Sequence, residues 1–252
     1  MPTPEPVVLL VEDDASVSRF VGMVLDGLPV SLKVCASVEE ALEFLARHRA
    51  QLIITDLMMP GESGMGLIQR MAADPSLAAG AKVVVFSAGL NTAVRAQLAS
   101  MNIWRTLAKP ASVGDLQGCV RDTLELFRPE EAGAPATPDA SAAKAVHEGL
   151  AEHEAHALAK HFANNRPLFD TYRSRCLVQF AKDCQEGDRA VDAVDLPALR
   201  RLGHNLRTVL LTLGRGEGSR LAGLLEEAAF AEDGPAAVAG WRALREHLAS
   251  QS

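Results

Sequence analysis

The chain has 252 residues, 48% apolar and only 4% aromatic, with a formal net charge of −7. That length suits two ordinary domains, and the composition excludes wholesale disorder. The longest aliphatic run, Val7–Val11, is far short of the roughly 20 residues of a membrane-spanning helix, and the acidity disfavours nucleic acid or an anionic membrane as partner. The opening Met1-Pro2-Thr3-Pro4-Glu5-Pro6 lacks the basic and apolar regions of a signal peptide. Four irregularly spaced cysteines (Cys35, Cys119, Cys176, Cys184) contain no C-x-x-C pair, which suits reduced thiols and a cytoplasmic setting.

The first 128 residues alternate between two periodicities. Short β-branched runs at Val7–Val11, Val30–Cys35, Leu52–Thr55, Lys82–Phe86 and Ile103–Leu107 read as strands. Helical spacing follows each, near 15–28, 38–48, 64–73, 92–100 and 113–127. Ser37-Val38-Glu39-Glu40 and Ser112-Val113-Gly114-Asp115 have the form of capping boxes. Five βα units predict an α/β doubly wound, flavodoxin-like domain with a five-stranded parallel sheet. Ligands of such sheets bind beyond the carboxyl ends of the strands, where strand order reverses.

Polar residues collect at those ends. Glu12, Asp13 and Asp14 follow the first strand, Asp56 the third, Ser87 closes the fourth, and Lys109-Pro110 follows the fifth. Converging acids repel one another unless a cation joins them, and an all-oxygen set favours Mg²⁺. A hydroxyl and an ammonium supply what a transferred phosphoryl group needs. Asp14 is better read as the cap of the first helix.

Residues 129–142, rich in Pro, Ala and acids, have no apolar face and read as a linker spanning at most about 45 Å. Beyond it, helical spacing over about 143–163, 166–186, 196–213, 217–231 and 236–249 predicts an all-α bundle over 143–252. Asp195 and Pro197 start the third of these helices, and Gly214-Arg215-Gly216 ends it. On that helix Leu199, Leu202, Leu206, Val209, Leu210 and Leu213 form one stripe, and His204 falls about 170° from its middle. His204 is therefore expected to face solvent beside Arg200, Arg207, Thr208 and Leu211. His153 and His156 lie one turn apart on the first bundle helix, but without a third ligand they read as a solvated face.

The strings Val11-Glu12-Asp13-Asp14, Asp56-Leu57-Met58-Met59-Pro60-Gly61-Glu62-Ser63-Gly64, Ser87-Ala88 and Lys109-Pro110 resemble the receiver domain of bacterial response regulators. The resemblance implies Asp56 as phosphoacceptor and Asp13, Glu12, Asp56 and the Met58 carbonyl around Mg²⁺. It also implies Ser87 and Lys109 on the phosphoryl oxygens and a cis Lys109-Pro110 bond. Thr106 stands where that family usually carries Tyr or Phe, so the usual inward-swinging ring is missing; Trp104 lies nearby. Leu202-Gly203-His204-Asn205-Leu206-Arg207-Thr208, with Leu213-Gly214 and Leu221 to Glu227, resembles histidine phosphotransfer domains. Arg207 replaces their Lys, and Thr208 replaces a small Gly. The same string is similar to the histidine box of sensor kinases. Only 48 residues follow His204, without a nucleotide loop, so a complete kinase is not expected.

Together these readings predict a phosphorelay protein that is not an enzyme beyond magnesium-dependent phosphorylation and dephosphorylation of its own receiver. Asp56 and His204 would be its two acceptors, with Arg207 stabilising phosphoryl charge. Its partners would be a sensor histidine kinase and another receiver docking on the His204 face. The alternative is a bundle for protein interaction or dimerisation in which His204 accepts no phosphate.

Overall fold

The structure, a computed structural model, describes residues 5–127 and 151–250. The expected linker 129–142 and helical residues 143–150, including His147, lie outside them. The chain divides into two compact units, residues 1–143 and 144–252.

In the first unit five parallel strands stand in the order β2-β1-β3-β4-β5: β1 (Val7–Val11), β2 (Ser31–Cys35), β3 (Leu52–Thr55), β4 (Lys82–Ser87) and β5 (Arg105–Ala108). Helices α1 (Ala15–Leu25), α2 (Val38–Leu45), α3 (Gly64–Ala73), α4 (Pro75–Ala78), α5 (Thr92–Ala99) and α6 (Val113–Leu126) connect and follow them. The expected α/β doubly wound class is the one observed. Because side chains alternate along a strand, each buried strand feeds two cores. Leu9, Val11, Ile53, Val83 and Val85 share one apolar cluster with Val38, Leu67, Ile68 and Leu98 of the helices. Their neighbours Val8, Leu10, Leu52, Ile54, Val84 and Phe86 are equally buried on the other face.

The ends of these helices follow their caps. Asp14 accepts the Ser16 and Val17 amides and starts α1. Ser112 and Asp115 form the expected capping box of α6. Ser37 accepts the Glu40 amide as expected, but Glu40 reaches back to the Ala36 amide rather than to Ser37. The short α4 escapes the hydrophobic pattern: Asp74 caps it through Ser76, and Pro75 opens it.

The second unit contains α7 (Glu152–Phe162), α8 (Arg166–Asp192), α9 (Leu196–Thr212), α10 (Gly216–Phe230) and α11 (Gly234–Ala249). α8 runs six residues past the expected end at 186, because Gly187 is a packing site and not a helix stop. A Cβ on Gly187 would lie 2.2–2.4 Å from ring atoms of Trp241, whose indole donates to Asp188 at 3.0 Å. α9 and α10 make the closest pair. A Cβ on Gly203 would stand 2.9 Å from both the Ala222 carbonyl and the Glu226 amide, and Ser219 donates to the Arg207 carbonyl at 3.0 Å. All four cysteines are free thiols.

Candidate functional site: an acidic pocket and a buried histidine

Strand register assembles the first site. Val11 pairs with Thr55, so Glu12 and Asp56 leave adjacent strands together at the point where strand order reverses. Ser87 pairs with Ala108, which brings Lys109 to the same edge. The Lys109 ammonium donates to Glu12 Oε2 at 2.5 Å and to Asp56 Oδ2 at 2.6 Å, with its side chain 2% exposed. The Leu57 and Met58 amides donate to Asp56 Oδ1 at 2.5 and 3.1 Å. Oxygens of Glu12, Asp13 and Asp56 all lie within 4.8 Å of one another. Glu12, Asp13, Asp56, Ser87 and Lys109 are thus brought together as expected; Met58 follows in the loop, and Lys109-Pro110 is cis.

The electrostatics are unbalanced. Burial pushes the Glu12 carboxyl up to about 8, against Lys109 and with help from the Asp56 and Asp14 charges. Burial likewise raises Asp13. For Asp56 burial acts upward too, but the Lys109 ammonium and the hydrogen bonds from Lys109, Met58 and Ser87 outweigh it and hold the carboxyl low. One ammonium keeps Asp56 ionised and leaves its neighbours short of positive charge. Asp13 Oδ1 is buried without a hydrogen-bond partner. An orphaned oxygen beside two more carboxylates in an oxygen-only cluster is what a hard divalent cation would satisfy. The residues present therefore fit magnesium, with Glu12, Asp13 and Asp56 as its holders.

The histidine of the second unit does not lie where its helical angle suggested. His204 is 4% exposed, and this corrects the expectation of a solvent-facing imidazole. The hydrophobic stripe accounts for one buried face of α9. Gly203 lets α10 approach closely enough to cover a second face, on which His204, Thr208 and Thr212, spaced by one turn, are also buried. Small and polar residues leave no hydrophobic signal, so the angular reading could not register that face. Arg207, with 51% of its side chain exposed, and Leu211, 41% exposed, do reach solvent.

His204 Nδ1 bonds Glu226 Oε1 at 2.8 Å, and Arg207 donates to Glu226 Oε2 at 3.3 Å. An ionised carboxylate only accepts, so Nδ1 carries the proton, and in the neutral ring the lone pair is on Nε2. That Nε2 is buried and unpartnered. Glu226 lies in the segment Leu221 to Glu227, and only the α9–α10 pairing brings it to the imidazole. Burial raises the Glu226 carboxyl, but the hydrogen bonds and charges of His204 and Arg207 outweigh it and set it below its ordinary value of 4.5. A carboxyl held lower in the folded state contributes stability above its ordinary range and loses it as pH falls. Urea midpoints of the helical unit, read through Trp241 in a Trp104→Phe background, should therefore fall below about pH 4.5. Glu226→Gln keeps an acceptor for Nδ1 and should flatten that acid-side loss; equal slopes in both proteins would refute the assignment.

Residues 8–121 match the family described as response regulator receiver domain. Over 127 residues, half of this chain and 28% of that protein, the sequence is 29% identical to the response regulator protein PilR of Pseudomonas aeruginosa. It is 30% identical over 122 residues to the response regulator Rre1 of Synechocystis, covering 48% of this chain and 52% of that protein. The chain thus spans about half or less of the length of these relatives. Among solved structures, a putative response regulator from Chloroflexus aurantiacus is 26% identical, with a TM-score of 0.44, over 49% of this chain and 99% of that one. No helix among the described residues is long and apolar enough to cross a membrane. The match assigns residues 8–121 the form of a response regulator receiver domain, and the helical unit lies outside it.

Proposed function

We propose that the chain is a phosphorelay protein whose receiver takes a phosphoryl group on Asp56 from a sensor histidine kinase. The carrying observation is Asp56 itself, a buried carboxylate kept ionised by Lys109 beside Ser87 and an under-neutralised acidic pair. Magnesium held by Glu12, Asp13 and Asp56 would supply the missing positive charge. Lys109 and Ser87 would then turn to the phosphoryl oxygens as hydrogen-bond donors. A cytoplasmic setting and the absence of any activity beyond this self-directed chemistry belong to the same reading.

In the helical unit the proposal names His204 as a second acceptor in a histidine phosphotransfer-like bundle. Its support is the Glu226 contact, which places the proton on Nδ1 and the lone pair on Nε2, with Arg207 alongside. The burial of Nε2 favours a second reading, in which His204 is a structural residue of the α9–α10 pair and the bundle serves protein interaction. On the first reading Nε2 must be uncovered before another receiver delivers or removes phosphate there.

Incubating the full chain with Mg²⁺ and a phosphorylated histidine kinase distinguishes them. The parent protein should acquire a base-labile label that Asp56→Ala lacks. An additional acid-labile, base-stable label lost in His204→Ala supports the two-acceptor reading. Its absence, with the Asp56 label intact, leaves the interaction bundle. Label unchanged in both variants overturns the relay.

A further inference from the structure

The segment that follows Ser87 is joined to the α5–β5 face by hydrogen bonds in which Arg95 is the central link. Ser87, which closes β4 beside Asp56, accepts the Gly89 amide at 3.4 Å through its hydroxyl oxygen. One residue on, the Leu90 carbonyl accepts Arg95 Nε at 3.1 Å. The same guanidinium donates through Nη1 to Thr106 Oγ1 on β5 at 3.3 Å. Asn91, bonded to the Gly89 carbonyl at 2.8 Å, caps α5 through the Val94 amide at 2.9 Å. The segment Gly89–Asn91 therefore carries the Ser87 contact, the start of α5 and half of the Arg95 bridge.

We propose that Arg95 is the switch element of this receiver: its guanidinium clamps the β4–α5 segment to Thr106 and passes movement at Ser87 to β5. This rests on phosphorylation of Asp56 as proposed above. Thr106 is suited to the part because its hydroxyl accepts from a guanidinium, which a phenylalanine ring would not do in this way. Arg95, Leu98, Ile103, Trp104 and Thr106 also line a cavity of about 260 Å³, so no bulky ring fills the space beside the clamp. When Ser87 turns its single O–H to a phosphoryl oxygen, its contact with the Gly89 amide is disturbed and the Leu90 carbonyl moves with that segment. A planar fork held at both ends transmits such a displacement to the Thr106 hydroxyl. A lysine in its place, with one nitrogen, cannot hold both acceptors in the same geometry.

The test is amide hydrogen exchange on the full chain with and without phosphoramidate and Mg²⁺, with phosphate occupancy read by intact mass. In the parent, phosphorylation should change exchange over residues 88–91 and over 103–108 together. In Arg95→Lys and in Thr106→Val, which removes only the acceptor, the response over 88–91 should persist at equal occupancy while that over 103–108 is lost. A 103–108 response equal to the parent's in both variants, or none in the phosphorylated parent, overturns the clamp and leaves the phosphoacceptor standing. No mass gain in the parent overturns the phosphoacceptor reading and the clamp with it.

Discussion

Lys109→Met should destabilise the receiver unit by about 3–5 kcal/mol in the absence of divalent cation, the usual consequence of removing one partner from a buried ion pair. Methionine matches the stem of lysine, so the loss is one of charge and not of volume. Without the ammonium, Glu12 and Asp56 lose contacts at 2.5 and 2.6 Å, and Asp13 Oδ1 is already without a partner. Magnesium should recover part of the loss, because a cation among Glu12, Asp13 and Asp56 replaces the missing positive charge. In the parent the magnesium effect should grow as pH rises through about 8, where Glu12 ionises. Glu12, with its carboxyl raised, contributes stability below its ordinary value that is lost as pH rises through about 8. Asp56, held low, does the reverse and loses its contribution in acid. Urea midpoints read through Trp104 in a Trp241→Phe background measure these effects. Midpoints unaltered by the substitution, or a variant indifferent to magnesium, would refute the charge argument.

The receiver was legible because each of its features leaves a linear trace. Buried parallel strands are continuous apolar runs, caps are Ser, Asp and Asn before helical spacing, and the site residues follow strand ends. β5 shows the limit of this. The apolar run predicts a strand over Ile103–Leu107, but pairing begins at Arg105, opposite Val84, and extends to Ala108. Hydrophobicity marks what is buried and not what is paired, so the strand that delivers Lys109 starts later than its apolar run. Neither Arg95 nor Glu226 is marked by a pattern of its own, since each matters through a partner 11 or 22 residues away.

His204 shows why an angle on a helical projection is not an environment. A projection locates the apolar stripe and assumes that the opposite side faces water. α9 has neighbours on more than one side, and Gly203 removes the bulk that would have held α10 away. The residue that decided the fate of the histidine is thus the glycine before it. Trp241 against Gly187 repeats the lesson, for there the glycine just past the expected span 166–186 is the floor beneath an indole.

Gly64→Ala should have the largest effect per atom added anywhere in the receiver. A Cβ at this position would stand 1.7 Å from the Asp56 carbonyl oxygen, 2.8 Å from its carbon and 2.7 Å from Thr55 Oγ1. Two of these are backbone atoms, so no side-chain rotation relieves the clash. The Thr55 hydroxyl itself donates to the Asp56 carbonyl at 2.9 Å. Either the first turn of α3 lifts off the sheet or the Asp56 backbone moves. Lifting α3 uncovers Leu67 and Ile68 from the core. Moving Asp56 breaks its alignment with Lys109, Glu12 and Asp13. Overpacking of this kind typically costs about 1–3 kcal/mol, and the rigidity of the obstacle puts this case at or above the upper end. A displacement near 1 Å should also slow phosphorylation by about 100-fold. Gly118→Ala is the matched control, because nothing lies within 4 Å of its added Cβ and a helical alanine is favourable by about 0.5–1 kcal/mol. If Gly64→Ala matches the parent in both urea midpoint and phosphoramidate labelling rate, the backbone of Asp56 is not held by the close approach of α3.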